Sequence, residues 1–418
     1  MQRPVTLAYV TTVPITQWGF LRGQNAFLAA KGFEIHAIAS PGIHLDALAD
    51  RDGVVAHPVP IARTISPLQD LVSAWRLFRV FREIRPEVAH LSTPKAALLG
   101  AIAACAARVP VRIFCFRGSI TEPASGLRRR IFRLAERLTA RLCHQTICVS
   151  ESLRAFARTE GILPAGAGIV AAKGMSNGID VQRFDPDAAD PDGMRNLDDS
   201  LQRLARDTSA TVIGYVGRLA HDKGMENLWD AWVSLRATSA HAHLVLVGSW
   251  EKEAQVSAEC RCALESDARV HIVGTVEDVV PYYRLMSFCV FPSFGSEGFP
   301  NAPMEAASMR LPVIATRVVG AVDAVVDGVT GLLVPPRDTS ALLEAMRAYL
   351  DDPNLRRRHG RAGYVRARSD FRQEAVWEAL DEEYARLLLE HGLRMRDGAP
   401  AAAISPVDTT FVREGKAS

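Results

Sequence analysis

Along the first half of the chain the apolar period switches back and forth between that of strands and that of helices. Val5–Thr11 is a short apolar run that reads as a strand, and Gly23–Lys31 reads as a helix ended by Gly32. Phe33–Ser40 alternates as a strand and stops at Pro41-Gly42. Leu68–Ile84 is amphipathic at helical spacing and stops before Pro86. Strands are predicted at Val88–Leu91, Val111–Phe116 and Gln145–Val149, with a buried helix over Ala96–Ala107 and a basic helix over Leu127–Leu142. Ser150 then caps a helix over Glu151–Thr159. After a polar stretch, Asn177–Asp207, that reads as linker plus a preparatory helix, the pattern restarts. Strands are expected at Thr211–Val216, His243–Val247, Val270–Val273, Phe288–Phe291 and Pro312–Thr316. Helices are expected at Asn227–Thr238, Val256–Ser266, Val279–Leu285, Asn301–Met309, Thr339–Leu350 and Phe371–Glu390.

Strands alternating with helices imply parallel sheets covered on both faces, so the expected class is α/β with two Rossmann-like domains facing a deep cleft. The N-terminal domain is placed at 1–178 and the C-terminal domain at 179–375. Residues 376–392 form a helix crossing back to the first domain, and 393–418, rich in Ala and Pro and aperiodic, form a flexible tail. Ligands of such folds bind outside the carboxyl ends of the strands, so the loops there are where chemistry is sought.

Composition narrows the class. Of 418 residues, 48% are apolar and 23% charged, which supplies two cores and excludes wholesale disorder. Lys plus Arg number 49 against 47 for Asp plus Glu, a net charge of +2, so no nucleic-acid partner is expected. The cysteines number 7, form no C-x-x-C pair and sit largely in apolar runs; buried thiols in a reducing compartment are expected, with no metal site. The start, MQRPVTLAYVTTVP, reads as a first strand rather than a leader, and no apolar run reaches the roughly 18 residues of a spanning helix. A cytoplasmic protein is expected, either free or peripheral on the inner face of the membrane.

Two stretches carry candidate chemistry. In FPSFGSEGFPNAPMEAASMRLPVIAT, Phe291–Thr316, a buried strand runs into a glycine-rich loop and then a helix, with Asn301 as its expected N-cap. The free amides and positive end of that helix suit an anion. Glu297 and Glu305 suit hydroxyls on either side of a diphosphate. In IGYVGRLAHDKGMENL, Ile213–Leu228, a strand runs into Gly217-Arg218, and Lys223-Gly224 leads into a helix. Arg218 offers a bidentate fork and Lys223 a point charge, together suited to a diphosphate. There is no Walker loop and no G-x-G-x-x-G after the first strand.

With these motifs the chain resembles the retaining, nucleotide-sugar-dependent glycosyltransferases of family four, which have the GT-B fold. VHLSTPKAALLG (from Val88), ICVSESLR (from Ile147), SNGIDVQRF (from Ser176), VGRLAHDKG, LVGS, GSEGFPNAPMEA and DGVTGLLVPPRD (from Asp327) carry the likeness, which spans about residues 5–390. RGQ, STPKA, FRGSITE and GLRRR are most similar to the bacterial subgroup that builds capsule, exopolysaccharide or lipid-linked oligosaccharide.

The resemblance implies that Arg218 and Lys223 hold the donor diphosphate as it leaves. It implies that Glu305 binds ribose hydroxyls and Glu297 those of the transferred sugar, a hexose or N-acetylhexosamine. Gly217 and the run Gly298, Phe299, Pro300, Asn301 and Ala302 would also contact the donor, with UDP as the expected nucleotide. Gly19 or Gly23, in the loop after the first strand, would allow close approach to the diphosphate. Many relatives carry a histidine at the end of the strand RIFCF, where this chain has Arg117. Arg117 then binds a phosphate, of the donor or of a diphospho-lipid acceptor, or simply pairs with Glu122. His90 is either a packed histidine or an acceptor-side base, and Lys95 is a candidate for acceptor phosphate. No carboxylate is well placed as a nucleophile, so same-face attack is expected, and the two cations take the place of a metal, so no cofactor is expected.

The Leu127–Arg141 helix carries Arg128, Arg129, Arg130, Arg133, Arg137 and Arg141 against Glu136, with Leu127, Ile131, Leu134 and Leu138 as an apolar stripe. Trp75, Phe78 and Phe81 alternate with arginines on the Leu71–Arg85 segment. Either both stripes are buried in the core and the arginines face water, or the helices dock on anionic inner-leaflet lipids, as a polyprenyl-diphosphate-linked acceptor would require. The rival readings are a non-hydrolysing sugar-nucleotide epimerase of the same architecture and a non-catalytic nucleotide-sugar binder.

Overall fold

The computed structural model describes residues 4–393 apart from 190, 252–254 and 296. The N-terminal unit runs β1 (Val5–Val10), α1 (Pro14–Phe20), α2 (Gln24–Ala30), β2 (Phe33–Ala39), α3 (Ile43–Asp52), β3 (Val55–Pro58), α4 (Pro67–Ile84), β4 (Val88–Ser92), α5 (Pro94–Ala106), β5 (Val111–Phe116), α6 (Gly126–Leu142), β6 (Gln145–Cys148), α7 (Glu151–Thr159) and β7 (Ile169–Val170). The C-terminal unit runs α8 (Pro191–Arg195), α9 (Asp199–Arg206), β8 (Thr211–Val216), α10 (Met225–Arg236), β9 (Ala242–Val247), α11 (Ala258–Ser266), β10 (Val270–Gly274), α12 (Val280–Leu285), β11 (Phe288–Phe291), α13 (Asn301–Ser308), β12 (Val313–Thr316), α14 (Ala321–Ala324), β13 (Gly331–Val334), α15 (Thr339–Asp351), α16 (Pro353–Asp370) and α17 (Gln373–Glu390).

Two parallel sheets result, ordered β3-β2-β1-β4-β5-β6-β7 and β10-β9-β8-β11-β12-β13. In each, the strand order reverses at one point, between β1 and β4 and between β8 and β11, and the loops there open a crevice. The central strands are mostly apolar because helices cover both faces; Val5–Val10 and Val88–Ser92 are buried at every position, Thr6, His90 and Ser92 included. The chain leaves the first unit near Ile179 and returns beside it. The Ile179 amide donates to the Phe371 carbonyl at 2.6 Å, and the Gln373 amide donates to the Ile179 carbonyl at 3.1 Å. α17 then lies on the N-terminal unit, where Val376, Leu380, Tyr384, Leu387 and Leu388 join Leu7, Tyr9 and Ile35 in one buried cluster.

Several elements are absent from the sequence reading. α16 buries only His359, Gly360, Gly363 and Ala367, so it has no stripe of large apolar residues; it starts because Asp352 accepts from the Asn354 and Leu355 amides and Pro353 takes the first turn. β3 is a four-residue edge strand, partly exposed along its length. α1 begins at Pro14 in a stretch read as a loop, and it contains Gly19. The expected tail lies outside the described residues from 394 on.

Candidate active site

The two crevices face each other, and one cavity of about 440 Å³ joins them. Arg117, Gly217, Arg218, Lys223, Glu297, Gly298, Phe299, Pro300, Asn301 and Ala302 all line it, with Thr16, Phe20, Thr93, Ser176, Tyr215, Val216 and Phe291. Glu305, Gly19, His90 and Lys95 are not among the lining residues.

The C-terminal wall is built on loops after β8 and β11. Past β8 the chain makes a single 3-10 turn over His221–Lys223, stopped by Gly224 at φ 75. A side chain at Gly224 would place its Cβ 2.1 Å from the Pro292 carbonyl, so only glycine lets the turn press against the loop after β11. That contact brings Lys223 Nζ to 2.5 Å from Glu297 Oε1, both side chains largely buried, and Ser293 Oγ donates to the same oxygen at 2.7 Å. Arg218 is half exposed and donates to Glu251 at 2.9 Å, while the Tyr215 hydroxyl donates to its carbonyl at 2.7 Å.

The N-cap of α13 lies one residue earlier than expected: Pro300 is the N-cap and Asn301 the first helical residue, with no side-chain cap. A helix leaves its first amides without intrahelical partners, and Pro300 and Pro303 have none to offer. The unspent donors are therefore Asn301 and Ala302, and both line the cavity. Glu305, one turn on, is half-buried against α12, and the Tyr283 hydroxyl donates to its Oε2 at 2.9 Å. Burial raises its carboxyl above the ordinary value.

The N-terminal wall meets the same loop at backbone range. A Cβ on Gly298 would stand 1.7 Å from the Arg117 carbonyl, so the approach of the two units requires glycine there. Ser150, the N-cap of α7, donates to the Gly298 carbonyl at 2.7 Å. Asp323 of α14 accepts from the Glu151 and Ser152 amides at that helix's positive end. Arg117 follows β5, and its Nε and Nη1 are buried without a hydrogen-bond partner. Thr93 holds φ at 67, a rare conformation for a β-branched residue, and its Oγ1 is bonded to Thr12.

Several expectations change here. Gly19 lies within α1 rather than in a loop, and its neighbours Thr16 and Phe20 line the cavity instead. Gly23 has φ 82 and faces Trp377 of α17. Lys95 is neutralised: its Nζ pairs with Asp70 at 2.5 Å and donates to the Thr64 carbonyl. His90 is buried, 2.7 Å from the Tyr384 hydroxyl and stacked at a tilt on Tyr9. Burial, aided by the Arg117 charge, pushes it down to about 3, so it is a neutral packed histidine beneath the wall. Thr16, Phe20, Thr93, Ser176 and Tyr215 were missed as lining residues, although Thr93, Ser176 and Tyr215 lie in the STPKA, SNGIDVQRF and IGYVGRL segments.

The α6 stripe is not core, whereas the α4 stripe is divided, with Phe78 packed against the core. Leu127, Ile131, Leu134 and Leu138 of α6 are 72%, 54%, 65% and 42% exposed, and its buried residues are Glu136 and Thr139. On α4, Leu68, Leu71 and Trp75 are exposed as well, while Leu77 and Phe81 are buried. No helix among the described residues is long and apolar enough to cross a membrane.

A cleft between two doubly wound sheets, lined by paired cations and by glutamate on one wall, defines a GT-B glycosyltransferase. Residues 210–352 match the family described as glycosyl transferases group 1, and residues 22–170 match the glycosyl transferase 4-like domain. The chain is 32% identical over 370 residues to the capsular polysaccharide biosynthesis glycosyltransferase CapM of Staphylococcus aureus, covering 88% of this chain and 94% of that one. It belongs to this family of glycosyltransferases. It is 24% identical, over 77% of its length and 81% of the relative's, to an Escherichia coli UDP-Gal:α-D-GlcNAc-diphosphoundecaprenol α-1,3-galactosyltransferase. Among solved structures, Anabaena Alr3699/HepE in complex with UDP superposes with TM-score 0.73 at 17% identity, covering 92% of this chain and all of that one. Membership sets aside the epimerase and the non-catalytic binder.

Proposed function

We propose that the protein moves a hexosyl or N-acetylhexosaminyl residue from a UDP-sugar to a hydroxyl of a polyprenyl-diphosphate-linked glycan, with retention, in the synthesis of a bacterial surface polysaccharide. The observation that carries this reading is the convergence of Arg218, Lys223, the Asn301 and Ala302 amides and Glu297 on one cavity. The donors suit the diphosphate and the carboxylate suits sugar hydroxyls. CapM's role in capsule synthesis, the diphosphoundecaprenol acceptor of the E. coli relative and the UDP bound to HepE support the finer terms.

Cleaving the glycosyl–phosphate bond leaves positive character on the anomeric carbon and negative charge on UDP. Lys223, Arg218 and the positive end of α13 stabilise that charge where it develops. Glu297 binds hydroxyls of the transferred sugar while fixing Lys223 from the other side. Glu305, its Oε2 held by Tyr283, stands one turn beyond the Asn301 and Ala302 amides and is assigned to the ribose hydroxyls. The acceptor oxygen attacks the face that UDP leaves, a new C–O bond replaces the one to phosphate, and the acceptor's proton passes to the departing phosphate oxygen. Two side-chain cations serve the role a metal would, so no resident cofactor enters the scheme.

The exposed α6 stripe, flanked by arginines, suits anionic inner-leaflet lipid, which would place the enzyme peripherally on the cytoplasmic face. The test is release of nucleotide from a panel of UDP- and GDP-sugars with and without membrane lipid extract. Release from one UDP-sugar that depends on the extract is expected. Release that ignores the extract removes the lipid acceptor from the scheme, and release from a GDP-sugar alone removes UDP.

A further inference from the structure

A second cavity, of about 230 Å³, lies behind Arg117 on the N-terminal side, at the carboxyl ends of β4 and β5. It shares Thr93 and Arg117 with the donor cavity. Pro94, Phe114, Phe116 and Ile120 give it apolar walls, and Glu136 of α6 closes its back. The Glu136 carboxylate is no free charge there. It accepts from Ser119 Oγ, from the Ile120 amide at 2.8 Å and from Thr121 Oγ1 at 2.7 Å, so it holds the loop that carries Arg117. At 100° per residue, Glu136 stands opposite the exposed stripe of Leu127, Ile131, Leu134 and Leu138. The pocket therefore lies between the donor cavity and the helix face offered to lipid.

A guanidinium whose Nε and Nη1 are buried and unpartnered calls for an anion. The donor diphosphate already has Arg218, Lys223 and two helix amides on the opposite wall. The apolar walls next to Arg117 fit isoprene carbons and have few groups for a nucleotide. We infer that this pocket receives the prenyl-phosphate end of the acceptor, with its phosphate on Arg117 and its first isoprene units against Pro94, Phe114, Phe116 and Ile120. The reactive hydroxyl then reaches past Thr93 into the donor cavity. This assignment rests on the lipid-linked reading above and gives Arg117 to the acceptor rather than the donor.

The test uses farnesyl diphosphate, titrated calorimetrically into the full-length protein saturated with UDP. A second site filled one-to-one is expected, with inorganic pyrophosphate and farnesol each binding at least tenfold more weakly. Arg117→Gln and Ile120→Trp are each expected to weaken farnesyl diphosphate at least tenfold while UDP affinity stays within twofold. Competition of farnesyl diphosphate with UDP for one site overturns the proposal. So does a tenfold loss of UDP affinity in Arg117→Gln with farnesyl diphosphate unaffected, which places the guanidinium on the donor. If Arg117→Gln loses both ligands, Ile120→Trp decides, and unchanged farnesyl diphosphate binding there is contrary to the pocket. A wild-type protein that binds UDP but no farnesyl diphosphate sinks this pocket alone; one that binds no UDP sinks the donor reading first.

Discussion

The two walls of the cleft are finished in opposite ways. On the C-terminal wall each cation already has a carboxylate, Lys223 on Glu297 and Arg218 on Glu251, so the charges are positioned before any diphosphate arrives. On the N-terminal wall Arg117 has two buried nitrogens with no partner, and the helix behind its loop turns aliphatic side chains outward. Pairing keeps a cation in register and lets it exchange one anion for another. An unpaired guanidinium has an unmet desolvation cost until its anion arrives. One wall thus holds its cations ready for the nucleotide-sugar, and the other, on the inference above, keeps one open for the acceptor.

The largest expected effect breaks the prepared wall. Lys223→Ala should lower kcat for transfer by about 10²–10³-fold, the usual cost of removing one preorganised donor to developing charge. Because it leaves the largely buried Glu297 with Ser293 but no cation, Lys223→Ala combined with Glu297→Gln is the companion variant; a tenfold or smaller loss in both would remove Lys223 from the diphosphate. Next comes the seam between the walls. Gly298→Ala puts a methyl group where the Arg117 carbonyl stands, and the units must part to admit it. A cost of about 1–3 kcal/mol follows from overpacking, read as roughly a tenfold or greater fall in kcat/KM and a larger radius of gyration in solution scattering. Unchanged values would mean that the units do not close at this contact during turnover.

The prepared wall was legible in the sequence, and the reason is local. Arg218, Lys223, Glu297 and the 298–302 run sit in glycine-punctuated loops directly after buried strands, so spacing alone brings them to one edge. The other wall depends on partners distant in the chain. Lys95 follows a strand as a free phosphate ligand would, but its charge is spent on Asp70 of α4, which no spacing rule connects to it. His90 ends up beneath Tyr384, contributed by the last helix. The amphipathic pattern of α6 was visible, but a pattern does not say which face meets the sheet. Its lone acid among six arginines was the available clue, since a carboxylate in such surroundings needs a buried reason to be there. α16 escaped because it packs through glycine and alanine, whose periodicity is silent on a hydrophobic scale.

His90 sharpens the comparison from below. Its folded value, about 3, lies under the ordinary 6.5, so between these limits the unfolded chain binds a proton that the folded chain refuses. Its contribution to stability is whole above pH 6.5 and is lost as pH falls toward 3. At pH 5 the loss is about 2 kcal/mol, from roughly 1.5 pH units at 1.36 kcal/mol each. His90→Gln, which keeps a partner for Tyr384, should therefore show a fall in urea-unfolding free energy between pH 7 and pH 5 smaller by about that amount. Equal falls in both proteins would mean that His90 titrates normally and that the floor under Arg117 is open to water.

The smallest expected effect tests whether only one half of the molecule meets lipid. Arg130 is exposed on the flank of the α6 stripe, and Arg361 is exposed on α16 of the other half. An arginine within a Debye length of an anionic surface contributes about 1 kcal/mol to binding, so Arg130→Gln should weaken partitioning onto phosphatidylglycerol-containing vesicles by roughly fivefold at physiological salt. The deficit should shrink as salt is raised, because the attraction it removes is screened. Arg361→Gln carries the same change in net charge and should leave partitioning unaltered. Equal losses would make the attraction a property of overall charge, and the contrast between the walls would then stop at the cleft. A loss confined to Arg130 makes α6 the lipid-facing side, the same side on which Arg117 waits for its anion.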